Sequence, residues 1–138
     1  MVVEDANAAG GLLGKLIEVI GYDTRGDATE AVNAVKRLTS QDKVVAILGP
    51  NASGQAISIS GVLEQMKVAN IATVATNPKV TVNDDGSVKP YNFRVCFIDP
   101  YQGAVAAGYA ADKLSFTKAA ILYDVTSDYS QGLTEFFE

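Results

Sequence analysis

Lys43-Val44-Val45-Ala46-Ile47-Leu48-Gly49-Pro50-Asn51-Ala52-Ser53-Gly54 is the stretch on which the fold turns. An uninterrupted apolar run, Val44–Leu48, gives way to a Gly-Pro turn and then to a helix start. A run without polar alternation implies a strand buried on both faces, and such strands belong to parallel sheets whose crossovers are helices. Working outward, three more runs share this character, Leu16–Ile20, Ile71–Ala75 and Ala119–Tyr123, and a fourth, Tyr91–Phe97, is more mixed. Helical segments separate most of them. The alternation predicts a doubly wound α/β unit with a mostly parallel sheet.

The helices carry readable start signals. Asp27 with Glu30 three residues on predicts a capping box opening Ala28–Ser40. That helix has an apolar stripe of Ala31, Val32, Ala34, Val35 and Leu38. Ser53 is placed to cap Gly54–Lys67. Asp99-Pro100 reads as an N-cap followed by proline in the first turn, opening a helix to about Leu114. Ser127 or Asp128 opens a last helix. Val2–Ala9 looks like the tail of a helix closed by Gly10-Gly11, and Asn83–Ser87 reads as an exposed turn. A chain that starts on a helix tail and stops in mid-helix reads as a piece of a longer protein.

Composition narrows the chemistry. The chain has 138 residues, 48% hydrophobic and 20% charged, an ordinary globular balance. Eleven basic and 16 acidic residues give a net charge of −5, the wrong sign for an electrostatic grip on nucleic acid. No run approaches the ~20 apolar residues of a membrane span, and no signal-peptide pattern opens the chain. There is no His, so triads and His-ligated metals are excluded within this sequence. The single Cys96 makes no internal disulfide and reads as a small buried hydrophobe. The expectation is a non-enzyme without a cofactor or resident metal.

Three places remain that can carry recognition. Gly49–Gly54 lies beyond the carboxyl end of a strand, where open α/β sheets bind ligands. Asn51, Ser53 and Gly54 there offer an anion a hydroxyl and helix N–H groups; the alternative is that Ser53 merely caps. Thr76 and the carbonyl of Val74 end the next strand, and their loop is expected to lie beside the first; Thr and Asn-Pro are also ordinary turn chemistry. Tyr129, at the last helix start, is either a lid over a ligand or a packed aromatic. Asp99, Asp124 and Asp128 near strand ends leave a Mg²⁺ site open on composition, although their capping positions explain them more simply.

The ordered series of short matches points further. Asn7-Ala8-Ala9-Gly10-Gly11, Tyr22-Asp23, Asp27 with Glu30-Ala31-Val32, and Leu38 with Gln41-Asp42-Lys43-Val44 and Ala46-Ile47-Leu48-Gly49-Pro50 come first. Ser53-Gly54, Ala75-Thr76-Asn77-Pro78, Phe93-Arg94, Gln102-Gly103, and Asp128-Tyr129 with Gly132-Leu133 follow in order. Together they resemble the type I periplasmic binding proteins for branched-chain amino acids, from Val3 to Phe137. The resemblance implies a three-layer, flavodoxin-like or Rossmann-like lobe with helices on both faces of the sheet. It also implies a periplasmic or extracellular receptor that hands an amino acid such as Leu, Ile or Val to an ABC transporter permease. On this likeness Ser53 binds the ligand carboxylate, Thr76 contacts carboxylate and ammonium, the Val74 carbonyl receives the ammonium, and Tyr129 closes over the ligand from a second lobe.

The same likeness divides the chain at residue 98. Residues 1–98 correspond to a first lobe lacking the family's first, central strand, and residues 99–138 to the start of the second lobe. An empty strand slot leaves backbone groups unpaired, at about 1–3 kcal/mol for each one buried. Two repairs are expected to compete. Either Ala119–Tyr123 moves into the slot of its own chain and makes one domain, or two copies exchange elements and form a homodimer.

Overall fold

The computed structural model describes residues 2–138. A short helix, α1 (Val2–Ala8), is closed by Gly10 and Gly11, both at positive φ, as the Gly-Gly pair predicts. Helix α2 (Ala28–Ser40) starts at Asp27, whose carboxylate accepts from the Glu30 N–H at 2.8 Å. The sheet has three parallel strands in chain order: β1 (Ala46–Leu48), β2 (Ala69–Ala72) and β3 (Asn92–Arg94). In register, Ile47 stands opposite Asn70, and Asn70 opposite Asn92.

Ala31 and Val35 of α2, Ile47 of β1, and Ile59 and Leu63 form one buried cluster; Ala56, Ala72, Ala75 and Val80 form a second. Burying a side chain such as Ile59 or Leu63 is worth about 1.5–3 kcal/mol. Leu48 of β1 and Phe93 of β3 stay exposed.

Several expected elements change. The helix expected over 54–67 is two, α3 (Ser53–Ser58) and α4 (Ser60–Met66), meeting at buried Ile59. Ser58 and Ser60 turn their hydroxyls back onto the Gln55 and Ile57 carbonyls, a bond that competes with the helix ladder and bends it. The second strand begins at Ala69 rather than Ile71 and ends before Val74. Helix α5 (Asp99–Gly108) has Ile98 rather than Asp99 as its N-cap and widens into a π-helical turn, Tyr109–Lys113. The last helix, α6 (Asp128–Phe137), is capped by Ser127, whose hydroxyl accepts from the Ser130 N–H. Gly103 of α5 lets α6 approach closely: a Cβ there would lie 2.5 Å from the Phe136 carbonyl carbon.

Leu16–Ile20 and Ala119–Tyr123 are the two runs that do not become strands. Ile17 instead exchanges both backbone bonds with the Asn7 side chain, at 2.7 and 2.8 Å. A cavity of about 730 Å³ opens between Ile17–Tyr22 and Val44–Leu48, so β1 keeps an unpaired outer edge. Ala119–Tyr123 does not fill it. That segment lies against Tyr129, Leu133 and Phe137 of α6, around a cleft of about 330 Å³. No helix among the described residues is long and apolar enough to cross a membrane.

Candidate functional site

Because β1 and β2 run parallel, the loops that follow them leave the same end of the sheet. They are tied to each other twice. The Thr73 hydroxyl donates to Asn51 Oδ1 at 3.0 Å, and the Asn77 N–H donates to Ser53 Oγ at 3.3 Å. Ser53 is therefore not a side-chain cap; Ala52 holds the N-cap position of α3 without a side-chain bond. Its hydroxyl is spent between the loops, and the residue is buried.

Helix α6 sits on this junction. Asn77 Nδ2 donates to the Asp128 carbonyl at 2.8 Å. Two glycines make the approach possible. A Cβ on Gly54 would lie 2.6 Å from Asp128 Oδ2, and one on Gly132 would lie 2.9 Å from both Asn77 Nδ2 and Asp99 Oδ2. Gly54 and Gly132 are thus needed for what they lack. Tyr129, in the first turn of α6, stands at the rim; its hydroxyl accepts from Gln102 Nε2 at 3.2 Å. Val74 lies on the exposed flank of the second loop.

Asn51 and Ser53 are hydrogen-bonded to Thr73 and Asn77 of the loop that carries Val74 and Thr76, Gly54 lies against Asp128 of α6, and Asn51 and Val74 are exposed. Ser53 and Thr76 are 2% and 5% exposed. Asn77 to Asp128 is the hydrogen bond between the loop and α6, and Gln102 to Tyr129 ties α6 to α5.

The sequence named three further residues of this site without their roles here. Arg94, at the end of β3, donates to the carbonyls of Ala75 (3.1 Å), Asn77 (2.9 Å) and Pro78 (3.2 Å) and to Thr81 Oγ1 (2.9 Å). It holds the Thr76 loop in shape. Asn77 joins loop to loop and loop to helix; an Asn-Pro pair announces the turn but not the reach of the amide. Asp99 is fully buried, with its N–H donating to the Thr76 carbonyl at 3.0 Å.

Asp99 is the electrostatic oddity. Neither carboxylate oxygen finds a partner of good hydrogen-bond geometry, and the buried Thr76 hydroxyl is likewise unpartnered. Burial pushes the Asp99 carboxyl above its ordinary value, against the opposing pull of the adjacent Thr76 hydroxyl and of Arg94. Asp124 differs: it accepts from the Thr126 hydroxyl and N–H in an exposed turn, which holds its carboxyl below the usual range. Asp99, Asp124 and Asp128 do not gather; no cluster of three or more potential metal ligands occurs among the described residues. Cys96, expected buried, is half-exposed, with Sγ 3.6 Å from the Ala75 carbonyl.

Comparison with known proteins bears on this geometry. The sequence model described as "Periplasmic binding protein" matches residues 1–137. An amino acid binding protein of Pseudomonas aeruginosa is 35% identical over 132 residues, 96% of this chain and 34% of that protein. A Leu/Ile/Val-binding protein homologue of Brucella abortus is 33% identical over 133 residues, with the same coverage. Among solved structures, a leucine-binding protein of Thermotoga maritima superposes with a TM-score of 0.86 at 37% identity. The substrate-binding protein of a branched-chain amino acid transporter from Streptococcus pneumoniae, in complex with isoleucine, gives 0.89 at 33% identity. Each structural match covers 98% of this chain and 37% of the other. The chain spans about a third of the length of the relatives it matches, and these relatives are binding proteins by name.

Proposed function

This chain belongs to the periplasmic binding protein family, and we propose that it is part of the substrate-binding component of an ABC transporter for branched-chain or related amino acids. Residues 1–98 make an incomplete first lobe and residues 99–138 the start of a second. Ser53, with Asn51 and Gly54, takes the ligand carboxylate; Thr76 and the Val74 carbonyl take the ammonium; Tyr129 closes from the other side. The partner in transport is the permease of the same system, the working compartment is periplasmic or extracellular, and the role is binding without catalysis.

One observation carries the reading: the loops after β1 and β2 are hydrogen-bonded to each other, and Asn77 of the second loop ties them to α6. A small zwitterion needs this arrangement, because it must meet an anion site and a cation site a few ångströms apart and then be shut from water. Lifting α6 opens the way to the Ser53 and Thr76 hydroxyls, and reclosing it over a bound amino acid gives both a charged partner.

Isoleucine titrated into the 15N-labelled chain should shift the amides of residues 51–54 and 74–77 first. Ser53→Ala should weaken that binding about tenfold, since a hydrogen bond to a charged group contributes about 1.5–3 kcal/mol. Shifts scattered over the surface, or equal affinity in the variant, would remove Ser53 from the role.

A further inference from the structure

Asp99 and Thr76 are buried side by side, and each has hydrogen-bonding capacity to spare. Asp99 is 0% exposed, and neither its two oxygens nor the Thr76 hydroxyl has a partner of good geometry. Backbone and packing hold the two residues together. The Asp99 N–H donates to the Thr76 carbonyl at 3.0 Å, and Gly132 of α6 closes over the carboxyl, a Cβ there lying 2.9 Å from Asp99 Oδ2. With no exposed surface, the carboxyl is touched only by the residues packed around it.

Those residues offer it little besides the hydroxyl. Arg94 of β3 is the cation that acts on Asp99, but its hydrogen bonds go to Ala75, Asn77, Pro78 and Thr81. Cys96 turns its Sγ to the Ala75 carbonyl. The Thr76 loop brings the hydroxyl and the Asn77 amide, whose Nδ2 donates to the Asp128 carbonyl. On α6 the Asp128 carboxylate lies against Gly54 and Glu135 is exposed. Within α5, Asp99 is the one charged residue.

A hydroxyl has a single proton and two lone pairs, and an ionised carboxylate can only accept. Beside an ionised Asp99 the Thr76 proton therefore turns inward, and the hydroxyl shows lone pairs to the site. A protonated Asp99 has a proton of its own to place, and the Thr76 oxygen is the acceptor at hand. The Thr76 proton is then free to turn outward.

We propose that Asp99 is a positioning residue that sets the direction of the Thr76 hydroxyl: ionised, it makes Thr76 an acceptor for a ligand's ammonium; protonated, it makes Thr76 a donor to a ligand's carboxylate. This rests on the amino-acid reading above and adds a rule for which end of the zwitterion Thr76 serves. Burial raises the Asp99 carboxyl and so moves the change between the two states toward neutral pH.

The test begins without ligand. A 13C NMR titration of the Asp99 carboxyl should move further upward in Thr76→Val, because the ionised form loses its hydroxyl donor. A titration indifferent to Thr76→Val would overturn the proposal. Above the pH of that titration, calorimetry then compares leucinamide, which keeps the ammonium and lacks the carboxylate, with 4-methylpentanoate, which keeps the carboxylate and lacks the ammonium. Asp99→Asn, whose amide donates as the protonated carboxyl does, should shift the ratio of their affinities about tenfold toward 4-methylpentanoate. In Thr76→Val the same substitution should leave the ratio unchanged. An equal shift there would assign the effect to the Asp99 charge alone and overturn the proposal, as would a ratio that Asp99→Asn does not move. If leucine and both probes fail to bind, the amino-acid reading falls, and the titration alone decides whether Asp99 directs the hydroxyl.

Discussion

The two sides of β1 had comparable sequences available to them and ended differently. Toward β2, Ala46–Leu48 is paired in register and Ile47 is buried with Ala31, Val35, Ile59 and Leu63. Away from β2, Leu16–Ile20, aliphatic but for Glu18, lines an open cavity, and Ile17 draws its backbone bonds from an asparagine side chain. Ala119–Tyr123 repeats the lesson at α6. Apolar, β-prone sequence is a willingness to be a strand; a neighbouring edge makes it one.

If that contrast is right, damage should be costly on the paired side and cheap on the open one. Leu63→Ala, in the closed cluster, should lower unfolding free energy by about 2–5 kcal/mol in a urea melt, leaving the fold marginal. A loss under 1 kcal/mol would mean that the cluster is as loose as the groove. Arg94→Ala removes four hydrogen bonds from the Thr76 loop. A loss of about 2–3 kcal/mol is expected, with faster amide exchange confined to residues 75–81. Unchanged exchange there would show that the loop holds its shape without the guanidinium.

Asp99→Asn should act in the other direction. Burial raises the Asp99 carboxyl in the folded chain, so its protonated form is the one that folding favours. The stability linked to it is complete below the ordinary carboxylate value and is lost as pH rises through the raised folded value. At pH 7 the substitution should therefore stabilise the fold, and melts taken across the acidic range should lose that part of their pH dependence. Destabilisation at pH 7 would show that the charge has a partner after all. Smallest of all, Val45→Thr on the open side should change monomer stability by less than about 0.5 kcal/mol.

Much of the fold was legible because its signals are local. Asp27, Gly10-Gly11 and Ser127 mark helix ends through their own side chains or lack of them and lie where they were read, although the Asp27 N–H donates to the Thr24 carbonyl rather than to Glu30. The candidate site was legible in outline: Ser53 and Thr76 come together because parallel strands put their loops at one end. What the sequence hid is non-local. Nothing near Arg94 tells which carbonyls its guanidinium will reach, and Asp99 beside Pro100 imitates a cap while standing one residue inside the helix. The break at Ile59 lay in plain view as Ser58 and Ser60, two hydroxyls that compete for the backbone, but helical periodicity spoke louder.

The amino-acid reading is tested most directly by thermal unfolding of the chain with each standard amino acid in turn at millimolar concentration. A ligand that binds the folded chain alone raises the melting temperature in proportion to its occupancy. An upward shift with leucine, isoleucine or valine, absent with the others and lost in Thr76→Ala, is expected. A cooperative melt that no amino acid moves would mean that the junction of Ser53, Thr76 and α6 is scaffold, without recognition of its own.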